Sequence, residues 1–563
     1  MLFKKVADYF ECLERTSSSN QMIKVLAELF KKTPRKEVDL ITYLALGELG
    51  SSYSGKVTGM ADKMVLKAIA QASNKEENLI KKIFNKTGDV GKTAEQLCKN
   101  KGKLKLKFVF NEIKKIAEAF GNQSQDTKIK LLTNLLKKST PTEAKYLARI
   151  ITGTMRTGFS VMTILNALAL AFTKDKKNKN ILEQVYNNNP DIGALAKTIA
   201  SKGLKGLSLA NTTGRPIKMM LAQRVKAIDE IFKKMPRGLA AEEKYDGERI
   251  QAHKKGKNIT LFSRRMENIT HQFPDVVEYI KKNLANKDFI IEGEVVPIDK
   301  NGKSLPFQQL MQRRRKYDVE AYIKKIPVCY YLFDLLSLNN KNFIKKSYPE
   351  RHQALKSLIK KQTKNLQLAK RKIITNTKQF QEAFKKSLAR GNEGLIAKSL
   401  AKDSLYKAGT RGWLWIKWKK EYVKGMQDTF DLVVVGAFYG KGKRSGSYGS
   451  LLCASYNQGK FETVTRLGTG FTDKQLIAFK KIFEISKEKP NKIIAHKQMK
   501  PDVWFKPKVV IEVLGAEITR SPIHTCAEKQ GKGLAIRFPR FLRYRSDKKP
   551  SQATTSKEIE RMI

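Results

Sequence analysis

Up to about residue 210 the apolar positions recur at three- and four-residue intervals, with lysine runs between them and few β-branched alternations, so helices are expected nearly throughout. One helix start is explicit in Thr140-Pro141-Thr142-Glu143: a capping hydroxyl, proline in the first helical position and the reciprocal glutamate, ahead of Leu147, Ile150 and Ile151. The longest apolar stretch, Val161 to Phe172, is broken by Thr163 and Asn166 and falls short of the ~18 residues of a membrane span. Its Ile164, Leu165, Leu168 and Phe172 keep helical spacing, which predicts a core helix. After Asn211-Thr212-Thr213-Gly214-Arg215-Pro216 the texture changes to strands mixed with helices. Strands are expected at Ile259–Phe262, Phe289–Val296, Val328–Asp334 and Leu395–Lys398, with a lysine-rich helical region from Glu350 to Leu388. Alternation on the second of these strands puts Glu292 and Glu294 on one face. A third region opens after Lys424-Gly425-Met426-Gln427 with Phe430–Gly436, includes Val509–Val513, and is interrupted by a helix expected from Asp473 to Lys487. Five or so short strands with one helix suit a small barrel of the OB type.

Composition adds limits to this outline. A chain of 563 residues is too long for one hydrophobic core, and its 41% apolar residues suffice for three or four. With 111 Lys and Arg against 53 Asp and Glu, the formal charge of +58 attracts polyanions, nucleic acid foremost. A lysine- and asparagine-rich compositional bias or a solvated thermostable surface would produce part of the same excess. In the helical half, lysines near helix termini suit phosphate contacts better than base reading. Cys12, Cys98, Cys329, Cys453 and Cys526 stand singly, without a C-x-x-C pair or clustered histidines, which excludes a zinc site and reads as reduced intracellular thiols. The N-terminal MLFKKVADYFECLERT carries acidic residues and no small-residue cleavage site, so no export signal is expected. Gly440–Gly449 (GKGKRSGSYG) has no helix after it and reads as a flexible basic hairpin rather than a dinucleotide loop.

Chemistry concentrates in Glu242-Glu243-Lys244-Tyr245-Asp246-Gly247-Glu248-Arg249. Lys244 is either a nucleophile or one more surface lysine. To attack phosphorus it must be neutral, and Arg249, Lys398, Lys417, Lys419 or a bound metal are the neighbours that would favour that form. On an extended segment Lys244 and Asp246 point the same way, and Gly247 would let a phosphate approach the backbone. Arg264 in FSRR, Glu292 and Glu294 in FIIEGEVV, and Phe333 in YLFD read in isolation as surface charges, strand carboxylates and a core aromatic. In Arg411-Gly412-Trp413-Leu414-Trp415-Ile416-Lys417-Trp418-Lys419, alternation puts Lys417 and Lys419 on one face and Ile416 and Trp418 on the other, which resembles a phosphate clamp.

In order and spacing these stretches resemble the covalent nucleotidyltransferase superfamily, and most closely the ATP-dependent DNA ligases of the archaeal and eukaryotic replicative type. KYDGER resembles the adenylylation motif, FSRR, FIIEGEVV, YLFD, EGLIAK and WIKWK the motifs that follow, and Leu534–Thr555 (LAIRFPRFLRYRSDKKPSQATT) the last one. Met155–Phe159 and Arg215–Ala222 resemble the family's DNA-binding domain and its junction with the catalytic core. The resemblance implies a multidomain chain: an all-α DNA-binding domain over 1–213, an α/β (α+β) adenylylation domain over 214–424 and an OB-fold β-barrel over 425–563. It implies a DNA ligase that seals nicks in duplex DNA in replication, repair and recombination, with ATP as substrate and Mg²⁺ or another divalent cation.

By residue, the resemblance makes Lys244 the nucleophile on the α-phosphate of ATP, and Glu242 a contact of the adenine. Arg249 and Arg264 would position ribose and phosphates, Glu294 would bind ribose or metal, and Phe333 would stack on the base. Asp246 and Glu393 would join the metal environment, Lys398 would contact AMP, and Arg411, Lys417 and Lys419 would hold phosphates. Arg537, Arg540, Asp547 and Lys548 would close over the nucleotide and orient pyrophosphate, with the barrel swinging on a hinge near Gly425. The partner implied is nicked double-stranded DNA gripped by a single chain, a monomer, inside the cell, and in the cytoplasm if the source is archaeal. No glutamine followed by paired aromatics offers a docking peptide for a sliding clamp; Lys105–Phe110 (KLKFVF) is a weak substitute. An RNA ligase or an mRNA-capping guanylyltransferase would share the lysine motif without needing a large helical N-terminal domain. A basic DNA-binding protein without catalysis is disfavoured because each motif keeps its reactive residue.

Overall fold

A computed structural model describes the chain apart from residues 101, 174, 210–211, 314–318, 421–427, 441–443, 445–446 and 563. The expected hinge at Gly425, Asn211 at the first change of texture and half of the Gly440–Gly449 hairpin lie outside the described residues. The chain divides into two compact units, Met1–Ser73 with Leu97–Tyr422, and Asn74–Gln96 with Val423–Ile563.

Before residue 210 the described residues are helical, as their period predicts. Helix Pro141–Ile151 starts on a complete capping box: Thr140 Oγ1 accepts from the Glu143 N–H at 3.3 Å and Glu143 Oε2 from the Thr140 N–H at 2.9 Å. This helix turns two of its cations inward. Lys145 and Arg149 are buried, 2.6 Å from Glu11 and 2.8 Å from Glu14. Burial would raise the Glu14 carboxyl, but Arg149 and Lys145 outweigh it and hold it at about 2. These cations join helices and take no part in the solvent-facing field. Lys105–Phe110 runs into helix Leu106–Glu118, which buries Leu106, Val109 and Phe110.

The mixed region contributes β1 (Leu221–Arg224), β2 (Leu239–Lys244), β3 (Glu248–Lys255), β4 (Asn258–Ser263), β5 (Phe289–Pro297), β6 (Val328–Leu338), β7 (Lys341–Asn342), β8 (Leu366–Leu368), β9 (Arg371–Ile374), β10 (Gly394–Ser399) and β11 (Arg411–Lys419). They form one sheet in the order β1-β11-β10-β2-β9 and another in the order β4-β3-β5-β6-β7, with β8 beside β6. Among the described residues of these sheets only β1 with β11 and β6 with β8 run parallel, so the region is α+β. The expected helical region from Glu350 to Leu388 is two helices, Tyr348–Leu358 and Thr377–Ala389, separated by β8 and β9. Within that region β8 and β9 are fixed by distant partners, β6 and β2, and Asn376 caps a new helix by accepting from the Gln379 N–H at 3.0 Å. Gly247 also has a packing reason. A Cβ there would stand 2.4 Å from the Val295 carbonyl oxygen, so the glycine lets β3 lie against β5.

The second unit is strand-rich, with an eight-stranded sheet and a three-stranded one among the described residues, more strands than the five or so expected. Strand Asp428–Tyr439 pairs with both Tyr448–Asn457 and Val510–Gly515. Its core gathers Phe430, Leu432, Phe479, Phe505 and Ile511. Helix Asp473–Ile482 stops short of Lys487 because Ile485–Ser486 pairs with Phe505 and Trp504. No described helix is long and apolar enough to cross a membrane.

Candidate active site

A pocket of about 460 Å³ draws side chains from both sheets of the first unit. Its floor is the end of β2. Strand alternation turns Glu242 and Lys244 toward the pocket, while the Glu243 carboxylate pairs with Arg390. β10 lies antiparallel beside β2 with Gly394 opposite Lys244 and Ile396 opposite Glu242. Gly394 is held at φ 148°, where a Cβ would lie 2.1 Å from the Trp418 carbonyl, so only glycine lets β10 pass so close to β11. The Glu393 N–H donates to the Lys244 carbonyl at 2.9 Å. Glu393 is thereby stitched beside the lysine, and its Oε2 sits 2.8 Å from Lys244 Nζ while also pairing with Lys419.

Cations crowd one end. Arg264, Arg411, Lys417 and Lys419 all line the pocket, the two lysines on one face of β11 with Ile416 and Trp418 buried behind, as alternation predicts. Burial lowers Lys417, and Lys419, Arg411, Lys244 and Arg264 push in the same direction. Such an array lacks enough negative charge of its own and suits a polyphosphate.

Phe333 and Trp415 line the other end, their rings meeting edge to face at 6.2 Å. Glu242 and Lys398 are buried there as a pair 2.7 Å apart. Burial lowers Lys398, opposed by Glu242. Arg249 lies between the two ends, 5.3 Å from the Phe333 ring and 5.4 Å from that of Trp415. Its guanidinium donates to the Met220 carbonyl at 2.8 Å and to Glu292 Oε2 at 2.7 Å, while its buried Nε has no acceptor among the described residues. Burial alone would lower Arg249, but Glu292 outweighs it and raises it.

Burial lifts Glu294 to about 7, Lys244 and Arg249 pulling it down and Glu393 and Glu248 pushing it up. Asp246 is likewise raised by burial and then by Glu393; it accepts from the Phe307 N–H at 3.3 Å. Burial would also raise Glu393, but Lys244 and Lys419 lower it. Among the described residues no three His, Cys, Asp or Glu side chains converge on a metal position. Magnesium, however, takes one or two carboxylates and completes its shell with substrate phosphates and water, so Glu294 and Glu393 at the edge of the cationic end are a suitable donor set.

The pocket therefore brings together Lys244, Glu242, Arg249, Arg264, Glu294, Phe333, Glu393, Lys398, Arg411, Lys417 and Lys419, with Asp246 adjoining. Arg537, Arg540, Asp547 and Lys548 belong to the other unit: the arginines are exposed, Asp547 pairs with Arg545 at 2.7 Å, and Lys548 with Asp431 at 2.6 Å. Sequence reasoning missed the network behind Arg249. Glu292 accepts from Arg249, from the Tyr406 hydroxyl at 2.9 Å and from Gln251 Nε2 at 3.0 Å; Gln251 in turn holds both the N–H and the carbonyl of Ile217. The shared face of Glu292 and Glu294 was a usable signal, whereas nothing local marks Tyr406. Trp415 stood within the WIKWK motif without a role.

Comparison with known proteins bears on the whole chain. The model of the family described as DNA ligase N terminus matches residues 2–169, that of the ATP dependent DNA ligase domain residues 219–419, and that of the ATP dependent DNA ligase C terminal region residues 444–548. DNA ligase 2 of Thermofilum pendens is 43% identical over 582 residues, covering 100% of this chain and 97% of that protein. DNA ligase 1 of Methanosarcina acetivorans is 43% identical over 571 residues, covering 99% and 98%. The solved structure of Pmar-Lig_PreS3 shares the fold, with a TM-score of 0.57 at 18% identity over 96% of this chain and 99% of that one. With a cation-lined pocket around Lys244 in the middle and such likeness from end to end, the chain belongs to the ATP-dependent DNA ligases.

Proposed function

We propose that Lys244 carries the adenylate during nick sealing and that the pocket around it is used for each of three steps. The reaction is that of the family: ATP and a divalent cation charge the enzyme, and a nick in duplex DNA is sealed through an adenylate. The observation that carries the assignment is that Lys244 lines one pocket together with the cations Arg264, Arg411, Lys417 and Lys419 and the aromatics Phe333 and Trp415. In the first step the neutral Lys244 amine attacks the α-phosphorus; the P–N bond forms as the bond to the bridging oxygen breaks, and pyrophosphate leaves. Glu393, 2.8 Å from Nζ, is placed to accept the proton released. Arg264, Arg411, Lys417 and Lys419 balance the charge that spreads over the phosphoryl oxygens, which is where catalysis of phosphoryl transfer chiefly resides. A divalent ion held by Glu294 and Glu393, with Asp246 beside them, would supply further charge neutralisation there. In the second step a 5′-phosphate oxygen displaces Lys244, and in the third the 3′-hydroxyl attacks that phosphate and AMP leaves.

Adenine fits the base end by hydrogen-bond sense. Glu242 accepts only, and Lys398 donates only; they offer an acceptor beside a donor, matching the 6-amino group and N1 of adenine and opposing O6 and N1–H of guanine. Arg249 contributes its free Nε–H to ribose or phosphate oxygens, and Phe333 stacks on the base. Our reading keeps three domains, 1–213, 214–424 and 425–563, supported by the separate family matches. The last is read as an OB-type barrel whose Arg537, Arg540, Asp547 and Lys548 act on pyrophosphate. Intact mass after incubation with ATP and Mg²⁺ tests the centre of the proposal: an adduct of AMP size on the wild type and none on Lys244→Ala is expected, and an adduct that survives the substitution refutes it. Sealing of nicked DNA but not nicked RNA separates this enzyme from an RNA ligase.

A further inference from the structure

The acceptor Glu242 does not stand alone in the base end of the pocket. Its Oε2 takes Lys398 Nζ at 2.7 Å, and its Oε1 accepts the hydroxyl of Tyr348, a residue outside every motif identified from the sequence. Tyr348 does not line the pocket; it is 1% exposed and stands behind Glu242. Its own placement is unusually determined. It is the first residue of helix Tyr348–Leu358, which starts on a capping box of Ser347 and Glu350, and its backbone N–H donates to Ser404 Oγ at 3.0 Å. From the far side Arg371 Nη1 donates to the Tyr348 oxygen at 3.2 Å, and the register of β9 on β2 sets Arg371 opposite Glu242. The hydroxyl proton is thereby left for Glu242.

Lys398 is equally constrained, since its Nζ also donates to the Phe333 carbonyl at 3.1 Å. Of its three protons, two are engaged inside the protein and one remains for a ligand. A glutamate has three side-chain torsions, and a carboxylate held by one oxygen can swing its other oxygen away. With Tyr348 and Lys398 each holding one oxygen, the plane of the Glu242 carboxylate is set before any nucleotide arrives, and its remaining lone pairs face the base. Selection of a purine by its six-position requires this, because a mobile carboxylate would retreat from the O6 of guanine rather than oppose it.

We propose that Tyr348 determines the nucleobase selectivity of lysine charging as a positioning residue, by fixing the carboxylate of Glu242. The inference rests on the reading that Lys244 takes up the nucleotide and Glu242 meets its base. The experiment uses the full chain and follows lysyl-nucleotide formation by intact mass at varied concentrations of ATP, GTP and purine riboside triphosphate, which lacks the 6-amino group. For Tyr348→Phe, KM for ATP is expected to rise about tenfold with kcat within about twofold, KM for purine riboside triphosphate to stay unchanged, and the preference for ATP over GTP to shrink about tenfold. Arg371→Met, which removes the second partner of the hydroxyl, should shift the same ratios by a smaller factor, and serves in its place if the tyrosine variant does not fold. An equal loss for all three nucleotides, or no change in either ratio, overturns the inference. A wild type that forms no AMP adduct, or an adduct persisting in Lys244→Ala, overturns the reading beneath it instead.

Discussion

Replacing Glu292 by glutamine removes the carboxylate that hydrogen-bonds the Arg249 guanidinium. Glu292 is 0% exposed, and its two oxygens accept three hydrogen bonds, at 2.7 Å from Arg249, 2.9 Å from Tyr406 and 3.0 Å from Gln251. An amide has one oxygen. The less costly orientation keeps that oxygen on Arg249 and Tyr406 and turns the new NH₂ against the NH₂ of Gln251. One neutral hydrogen bond is then lost, at about 1 kcal/mol, and the bond to Arg249 falls from charge-assisted to neutral, about another 1 kcal/mol. The guanidinium also remains buried without its counter-charge, and removing one partner of such a pair costs about 3–5 kcal/mol where no water enters. Because Glu294 remains as a second carboxylate near Arg249, which lines a pocket that water can enter, and because the weakened bond and the lost counter-charge are one effect, a destabilisation of about 3 kcal/mol is expected for Glu292→Gln. Urea denaturation measures it, and single-turnover charging measures its local effect: KM for ATP should rise because the free Nε of Arg249 moves with the rest of the group. A variant within about 0.5 kcal/mol of the wild type, with unchanged KM, would refute the claim that Glu292 anchors Arg249.

Gly247→Ala places a methyl 2.4 Å from the Val295 oxygen and 2.9 Å from Glu294 Cγ, so β3 and β5 must part; a loss of about 1–3 kcal/mol and slower charging are expected, and an unshifted Tm with normal single-turnover rate would contradict the packing argument. The His253 imidazole gives a pH dependence. Its Nδ1 accepts from the Gly214 N–H at 3.0 Å and its Nε2–H donates to Gln251 at 2.8 Å, and burial pushes it down to about 3 from 6.5. Between those values the unfolded chain holds a proton that the folded chain refuses, so this contribution is whole above 6.5 and is lost as pH falls toward 3, amounting to about 3 kcal/mol by pH 4. In His253→Gln the stability profile from pH 7 to 4 should be shallower by up to one proton; parallel profiles would show that the ring is not kept neutral.

The legible parts of this chain are those whose cause is local. The Thr140 capping box, the core helix from Val161 and the two-faced strand of Lys417 and Lys419 each follow from spacing within a few residues. The collection of Lys244, Arg249, Glu294, Phe333 and Lys398 in one pocket became legible only through the order of motifs, since their strands meet from opposite sheets. β8 and β9 were illegible because segments of three and four residues carry no period of their own; pairing with β6 and β2 decides them. Tyr348 and Tyr406 were missed for the same reason. Each acts on a carboxylate more than a hundred residues away in sequence, Glu242 and Glu292, and nothing nearby distinguishes them from core tyrosines.

The six residues of β2 also impose a rule of parity on the gene. Inserting or deleting one codon inside the strand would exchange its two faces, carrying Glu242 and Lys244 to the side where Glu243 now meets Arg390 and presenting Ala241 and Glu243 to the nucleotide. A change of two codons would restore the faces but advance the amine by about 7 Å, beyond reach of the same phosphorus. Length variation among descendants of this chain is therefore confined to its loops, and any frame-preserving indel that survives selection in β2 must come with a compensating one before Lys244.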